Sequence, residues 1–142
     1  MDADETARRC AERMFADDAA SQALGITITE VAPGTAVASM TVRDDMANGH
    51  GICHGGYIFT LADTAFAFAC NTYDDVTVAA GADITFLEPV SKGTGLVATA
   101  VELSRRGRSG LYDVTVRTED GAVVAEFRGR SRSLGRPLLY AD

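Results

Sequence analysis

The amino-acid sequence predicts an α+β domain in which an antiparallel sheet packs against one central helix. Residues 58–70 are apolar at helical spacing and on most other sides as well, and a helix that is apolar all round is a buried one. Short segments with alternating apolar and polar residues lie before and after this run, separated by turn signals. One helix against one antiparallel sheet is a stable two-layer architecture.

The first part of the chain supplies a helix and a pair of strands. Residues 5–22 place apolar side chains in one stripe at helical spacing, which predicts an N-terminal helix. Residues 26–31 and 36–42 alternate with period two, and the Pro-Gly pair between them predicts a turn, so we expect a hairpin. The polar, glycine-rich residues 43–56 form a loop that leads into the central helix.

The rest of the chain is predicted to form about four strands in a meander. Alternating or β-rich segments cover residues 76–87, 96–103, 111–117 and 123–130. The Asp-Gly pair before the last segment is a signal for a tight hairpin, because these residues tolerate positive φ.

Length and composition indicate a single domain. We expect residues 1–142 to form one core, with an N-terminal helical segment at 1–23 and a loose tail at 134–142. The net charge of −7 argues against nucleic acid as a partner. Three cysteines give no disulfide framework, and the sequence shows neither a signal core nor a membrane-spanning run. We therefore expect a cytoplasmic protein that binds no membrane.

His54, Gly55 and Gly56 stand where the loop meets the central helix. The first N–H groups of a helix lack internal acceptors and lie at the positive end of the helix dipole, and glycine lets a ligand atom approach the backbone closely. These properties suit an oxyanion hole for an acyl group. The alternative is that the two glycines only form a turn, and spacing alone leaves both open.

Asp63 lies about two turns inside the same helix. Because a buried, unpaired carboxylate is unfavourable, it must be hydrogen-bonded, ion-paired or protonated. Such acids concentrate at functional sites, where Asp63 could activate water as a general base or attack a carbonyl itself. The alternative is a structural salt bridge to an arginine.

The spacing of Gly55 and Asp63 predicts a site shared by two chains. Eight residues of a straight helix span about 12 Å along its axis, whereas an oxyanion donor and a base must both lie within about 3 Å of the atoms they serve. Two antiparallel helices related by a two-fold axis can bring both groups to one carbonyl. We therefore predict a homodimer in which one chain contributes Gly55 and its partner contributes Asp63.

The stretch NGHGICHGGYIFTLADTAFAFACN, residues 48–71, resembles the hotdog-fold acyl-CoA thioesterases of the phenylacetate-degradation (PaaI-like) family. The segments ADITFLEPV and VAEFRGRSRSLG are similar to the same family, so the resemblance covers nearly the whole chain. It implies a hotdog fold, in which a long antiparallel sheet wraps a central helix. It also implies hydrolysis of an aromatic acyl-CoA, and dimers that often pair into tetramers.

The resemblance also implies roles for individual residues. Asp63 matches the catalytic carboxylate, a base for water or a nucleophile, and Gly55 matches the backbone N–H that polarises the thioester carbonyl. His54 matches a histidine that helps to orient the site, and Asn48 matches an asparagine that faces the reacting centre. Some relatives have a Ser or Thr early in the next strand to position water, but residues 79–82 are Ala-Ala-Gly-Ala here.

Gly56 and the arginines of the SRRGRSG segment, Arg105, Arg106 and Arg108, are the candidate substrate-binding residues. Arginine suits the phosphates of CoA because of its forked donors, although the segment could equally be a solvated hairpin tip. The alternating Arg128, Arg130 and Arg132 share one strand face, and they either join this patch or face water.

Metal and thiol chemistry fit the sequence less well. The spacing of His50, Cys53 and His54 matches no zinc pattern and no fourth ligand is near, so we expect neither a metal nor any other cofactor. Cys53 as a nucleophile would need a base against its thiol.

Two other functions are open at this stage. Hotdog dehydratases or hydratases use His and Asp for proton transfer on an acyl chain, and hotdog domains can serve as non-catalytic acyl-CoA sensors. Assays of thiol release and of enoyl-CoA hydration distinguish a thioesterase from a dehydratase or hydratase. Tight binding of acyl-CoA without turnover would indicate a sensor.

Overall fold

The computed structural model describes residues 1–139, in which six antiparallel strands form one sheet around a central helix. The strands are β1 Thr27–Ala32, β2 Thr35–Thr41, β3 Thr77–Phe86, β4 Gly95–Arg106, β5 Ser109–Thr118 and β6 Val123–Ser133. Their order across the sheet is β1-β2-β4-β5-β6-β3. The predicted α+β fold, with a sheet around a central helix and a helix at the N-terminus, is confirmed.

The α-helices are α1 Ala3–Asp17, α2 Ala19–Ala23 and α3 Gly55–Cys70. The single helix predicted for residues 5–22 is therefore divided in two. The break is at Asp18, whose carboxylate accepts a hydrogen bond of 2.9 Å from the backbone N–H of Ser21 and caps α2. Aspartate favours such breaks because its short side chain reaches nearby backbone donors. Within residues 1–139, no helix is long and apolar enough to cross a membrane.

The position of β3 differs from the predicted meander. β4, β5 and β6 do follow one another as antiparallel neighbours, but β3 pairs with β6 at the edge of the sheet instead of with β4. The chain therefore crosses the sheet between Phe86 and Gly95. Period-two alternation predicts that a strand exists, not which strand it pairs with, so the sequence pattern did not reveal this crossover.

The far end of the sheet is longer and more ordered than predicted. β4 and β5 extend through most of the SRRGRSG segment, and only residues 107–108 form the turn, with Gly107 at φ 58°. In the tail that we expected to be loose, the N–H groups of Leu138 and Leu139 donate to the Asp74 carboxylate at 2.9 and 2.7 Å. Residues 140–142 of that tail lie outside the described residues.

α3 packs its apolar side chains into the concave face of the sheet. The buried Phe66 ring lies 5.6 Å from the ring of Tyr112 and 5.8 Å from that of Phe127, measured between centroids. Opposite it, a Cβ on Gly129 would come within 2.7 Å of the Phe66 ring, so glycine lets the helix approach β6 closely. This packing fixes the rotation of α3 and therefore the direction in which its single acid, Asp63, projects.

Candidate active site

The loop before α3 is ordered by its own polar groups. A short 3-10 helix, Asp44–Met46, begins it, and the His54 N–H donates to the Met46 carbonyl at 2.8 Å. The Asn48 Oδ1 accepts hydrogen bonds from the N–H groups of His50 at 2.9 Å and Ile52 at 3.4 Å. Asn48 thus stabilises the loop that precedes α3. This structural role is additional to the position facing the reacting centre that the resemblance implies.

His54 is the N-cap of α3. Its backbone is extended (φ −62°, ψ 132°), and its Nδ1 accepts a hydrogen bond of 2.9 Å from the Gly56 N–H. This bond gives an acceptor to the Gly56 N–H, one of the first helix donors that have none within the helix. Its ring is exposed and meets the Tyr57 ring edge-on. The histidine therefore orders the first turn of the helix.

The capping bond distinguishes the two glycines. The Gly56 N–H is occupied by His54, whereas the Gly55 N–H has no acceptor within residues 1–139. Gly55 is the first residue of α3, where the helix dipole favours negative charge. Of the two predicted glycines, Gly55 is thus the one with a donor available for an oxyanion.

Asp63 is half-buried and has no hydrogen-bond or ion-pair partner within residues 1–139. Burial raises the pKa of its carboxyl above the ordinary value. The predicted alternative of a salt bridge to an arginine is therefore not realised within the described chain. A carboxylate left without a partner is expensive to keep, which favours a role with a group from outside the chain.

A wide groove on the surface lies away from this site. It has a volume of about 1060 Å³ and lies between α1 and the β1–β2 hairpin, and none of Asn48, His54, Gly55 and Asp63 lines it. Gly55 and Asp63 lie on one helix, separated by about 12 Å along its axis. Neither Gly55 nor Asp63 lines this groove or the smaller pocket of about 430 Å³ that contains Arg106 and Arg132.

The predicted arginines are not all brought together. The Arg105 guanidinium stacks on the ring of Tyr73, 3.7 Å from its centroid. Arg106 instead lines a pocket of about 430 Å³ together with Arg130 and Arg132. Arg108 is in the β4–β5 turn and does not line it. Adjacent strand residues point to opposite faces, which explains why Arg105 and Arg106 separate.

The pocket shows which of Arg128, Arg130 and Arg132 join Arg106: Arg130 and Arg132 line it, and Arg128 does not. Arg130 contacts Asp83 at 3.0 Å and Arg128 contacts Asp113 at 2.7 Å, while Arg106 and Arg132 form no ion pair within the described chain. Three serines also line the pocket: Ser104, Ser109 and Ser131. The alternation of arginines in β6 predicted that they share one face of the strand. The sequence did not show which residues of the neighbouring strands lie beside them.

Thr77 has the hydroxyl nearest in sequence to residues 79–82, where some relatives have a Ser or Thr, but this hydroxyl is hydrogen-bonded within its own loop. Thr77 Oγ1 donates to the Asp75 carbonyl at 2.8 Å, and the Thr77 backbone is tied to the side chain of Asn71. Thr77 therefore organises the loop between α3 and β3. It is at the opposite end of α3 from Gly55.

The cysteines show no sign of nucleophilic chemistry. Cys10, Cys53 and Cys70 are free and buried, and burial raises the pKa of all three thiols, in Cys70 to about 12. A raised pKa lowers the thiolate fraction on which reactivity depends. Within residues 1–139, no group of three or more His, Cys, Asp and Glu side chains is arranged to hold a metal ion.

Phe86 is the residue near this site that the sequence did not single out. It ends β3, and a Cβ on Gly55 would lie only 2.8 Å from the Cζ of its ring. The two residues are distant in sequence, and only the position of β3 in the sheet brings them together.

A sheet wrapped around a helix with a free N–H at its start and an unpaired acid in its middle is the arrangement of a hotdog-fold thioesterase. The family model described as Thioesterase superfamily matches residues 50–125. The chain belongs to this superfamily, and it is a thioester hydrolase.

Particular relatives narrow the comparison. The acyl-coenzyme A thioesterase PaaI of Escherichia coli is 44% identical over 125 residues, which cover 88% of this chain and 89% of the relative. The structure of the E. coli PaaI protein from the phenylacetic acid degradation operon superposes with a TM-score of 0.94 at 41% identity, covering 96% of this chain and 99% of that one. An Archaeoglobus fulgidus protein named putative esterase is 31% identical over 85% of this chain and 79% of its own.

Proposed function

We propose that this thioesterase hydrolyses aromatic acyl-CoA thioesters, of the phenylacetyl-CoA or hydroxyphenylacetyl-CoA type, to the free acid and CoA. The observation that carries the proposal is the half-buried Asp63, which has no partner within residues 1–139 and lies on the same helix as the free Gly55 N–H. The names of the E. coli relatives, an acyl-CoA thioesterase and a protein of the phenylacetic acid degradation operon, support the substrate class.

Gly55 and Asp63 have different roles in the proposed reaction. The thioester oxygen accepts a hydrogen bond from the Gly55 N–H, and Asp63 removes a proton from water as the water oxygen attacks the carbonyl carbon. The tetrahedral intermediate then expels the CoA thiolate, which takes up the proton held by Asp63. The pKa of Asp63, raised by burial, makes it a better base than an ordinary aspartate.

A covalent variant uses the same residues. Asp63 attacks the carbonyl carbon, CoA leaves as the thiolate, and water then hydrolyses the acyl-aspartyl anhydride. His54 and Asn48 act in either variant by holding the loop and the first turn of α3, so that the Gly55 N–H is preorganised. Neither variant calls on a metal or redox cofactor.

The site is completed by a second copy of the chain. β3 is an edge strand with one side unpaired, and its residues 78–80 are exposed. Pairing of two β3 edges about a two-fold axis would set two α3 helices antiparallel, with Gly55 of each near Asp63 of the other. We propose a homodimer of this kind, which can pair again into a dimer of dimers. A cytoplasmic location remains a prediction.

Complementation between two inactive variants tests the shared site. Asp63→Asn removes the base, and we expect it to lower kcat by about 10²–10⁴-fold. Gly55→Pro removes the N–H donor at a helix position that tolerates proline, and we expect about 10²–10³-fold. In a mixed dimer, one site carries both changes and the other carries neither. Thiol release should therefore recover to roughly half of the wild-type value per dimer.

Two controls make the result interpretable. Gly55→Ala places a carbon at the same position as proline but keeps the N–H, so the difference between the two variants isolates the donor. Native mass spectrometry of the mixture measures how many mixed dimers form. If mixed dimers of the two inactive variants stay inactive although subunits exchange, Gly55 and Asp63 serve one site within one chain. If Asp63→Asn alone keeps full activity, the assignment of the acid is wrong.

A further inference from the structure

Phe86 covers the backbone at the start of α3. It is the last residue of β3, and a Cβ placed on Gly55 would lie 2.8 Å from its Cζ, 3.2 Å from its Cε2 and 3.3 Å from its Cε1. The far edge of the ring is therefore against the Cα of Gly55. A side-chain carbon at position 55 would therefore require the Phe86 ring to shift.

The same ring is half-exposed. Its relative exposure is 50%, close to the 51% of the adjacent Leu87. One edge of Phe86 thus touches the helix start, and the remaining surface faces outward beside Gly55, whose N–H the N-cap leaves free. Phe86 and Leu87 thus expose two adjacent large apolar side chains beside this donor, and contiguous exposed apolar surface marks sites that bind another group.

We propose that Phe86 is a specificity-determining residue of this thioesterase and forms the aromatic wall of the acyl site. The proposal rests on the function proposed above. With the thioester oxygen on the Gly55 N–H, the carbon chain next to the carbonyl lies against the Phe86 ring. An aromatic acyl group gains more from this ring than an aliphatic one does, because aromatic pairs stabilise each other in edge-to-face or offset geometry.

The ring also controls water at the oxyanion. A hydrogen bond to a developing negative charge is stronger where solvent is excluded. Phe86 covers Gly55 on the side where a Cβ would lie, so its ring is expected to keep water from that side of a carbonyl oxygen bound to the N–H. Loss of the ring is expected to lower kcat for every substrate slightly and to weaken aromatic preference strongly.

The experiment compares two substrates across matched variants. kcat/KM is measured for phenylacetyl-CoA and for hexanoyl-CoA with wild type, Phe86→Leu, Phe86→Tyr and Leu87→Ala. For Phe86→Leu, we expect kcat/KM to fall at least tenfold with phenylacetyl-CoA and less than threefold with hexanoyl-CoA, the range for one apolar contact in a pocket. Phe86→Tyr restores the aromatic preference. Leu87→Ala, equally exposed but not against Gly55, changes neither value.

The outcomes separate this proposal from the one it rests on. If wild type hydrolyses neither ester, the proposed function fails and the role of Phe86 fails with it. If wild type is active but Phe86→Leu lowers both values equally, or neither, then Phe86 only fills space. Should Phe86→Leu fold poorly, the ratio of kcat/KM for phenylacetyl-CoA to that for hexanoyl-CoA is measured on Phe86→Met instead. The contact between Phe86 and Gly55 is tested separately by the melting temperatures of Gly55→Ala with and without Phe86→Ala.

Discussion

Asp63 shows how one residue can lower stability and still be kept. The acid is half-buried within an otherwise apolar helix, and burial raises the pKa of its carboxyl because nothing within residues 1–139 compensates the charge. A side chain selected for folding alone would be apolar at this position. In the mechanism proposed above, the unfavourable charge is the property that a general base needs, so function and stability would oppose each other at this side chain.

We predict that Asp63→Asn raises the melting temperature at pH 7. The carboxyl has a higher pKa in the folded than in the unfolded chain, so its charge disfavours folding once the pH exceeds the unfolded pKa of about 3.9. This cost is absent in acid, appears as pH rises through that value, and is complete above the folded pKa. We expect a gain of about 2–5 °C at pH 7 that vanishes below about pH 4.

The control for this prediction is Glu88→Gln, which removes an exposed acid. Its melting temperature should stay within about 1 °C of wild type, since surface substitutions usually change little. Scanning calorimetry at one chain concentration, repeated from pH 3 to pH 8, provides the comparison. An equal gain at all pH values would show that the effect of Asp63→Asn does not come from its charge.

At the scale of elements, α3 both packs against the sheet and presents the candidate site residues. One face packs on the sheet, where Phe66 lies against Gly129, and another presents Asp63. At its start, His54 occupies the Gly56 N–H and leaves that of Gly55 free. The rigid packing of one face therefore positions the chemistry of the other.

We expect the contacts to the CoA phosphates at the strand ends farthest from Gly55. Arg106 of β4 and Arg132 of β6 line one pocket and have no ion pair within residues 1–139. Ala80 of the same pocket is six residues from Phe86 along β3, or about 20 Å. We predict that Arg106→Gln with Arg132→Gln raises KM for an acyl-CoA about tenfold, as expected for one charge-assisted hydrogen bond.

A truncated substrate identifies the lost contact. The N-acetylcysteamine ester of the same acid lacks the phosphates, so its kinetic constants should be equal in wild type and the double variant. Arg117→Gln, an exposed arginine toward the other end of the sheet, is the matched control and should leave both substrates unchanged. A rise in KM for both esters would place the arginines away from the phosphates of CoA.

The sequence predicted those features that depend on neighbouring residues. The apolar pattern of residues 58–70 and the Asp63 within it indicated the central helix and its acid, and the glycines at 55 and 56 marked its start. The position of β3, the grouping of Arg106 with Arg132 and the Phe86 contact with Gly55 all depend on pairing between distant segments. Period-two alternation contains no information on such pairing.

At the scale of the whole molecule, β3 is one of the two edge strands of the sheet, with β1 at the other edge. An exposed edge strand is a site of association unless it is protected, and residues 78–80 expose only a valine and two alanines. The β3–β6 register shifts between Ala79 and Gly81, so Ala80 is not paired with β6. Proline is tolerated at such a bulge, which makes Ala80 suitable for blocking the edge while the intramolecular ladder is spared.

We predict that Ala80→Pro converts the assembled protein to monomers and lowers kcat/KM at least tenfold, because a monomer has Gly55 and Asp63 about 12 Å apart along one helix. Ala80→Ser keeps the N–H and should assemble and react like wild type. Light scattering after size exclusion gives the mass, and circular dichroism confirms that both variants fold. A folded monomer with full activity would refute the two-chain site. An assembled Ala80→Pro would move the interface away from β3, because the sheet edge would then not be needed for association.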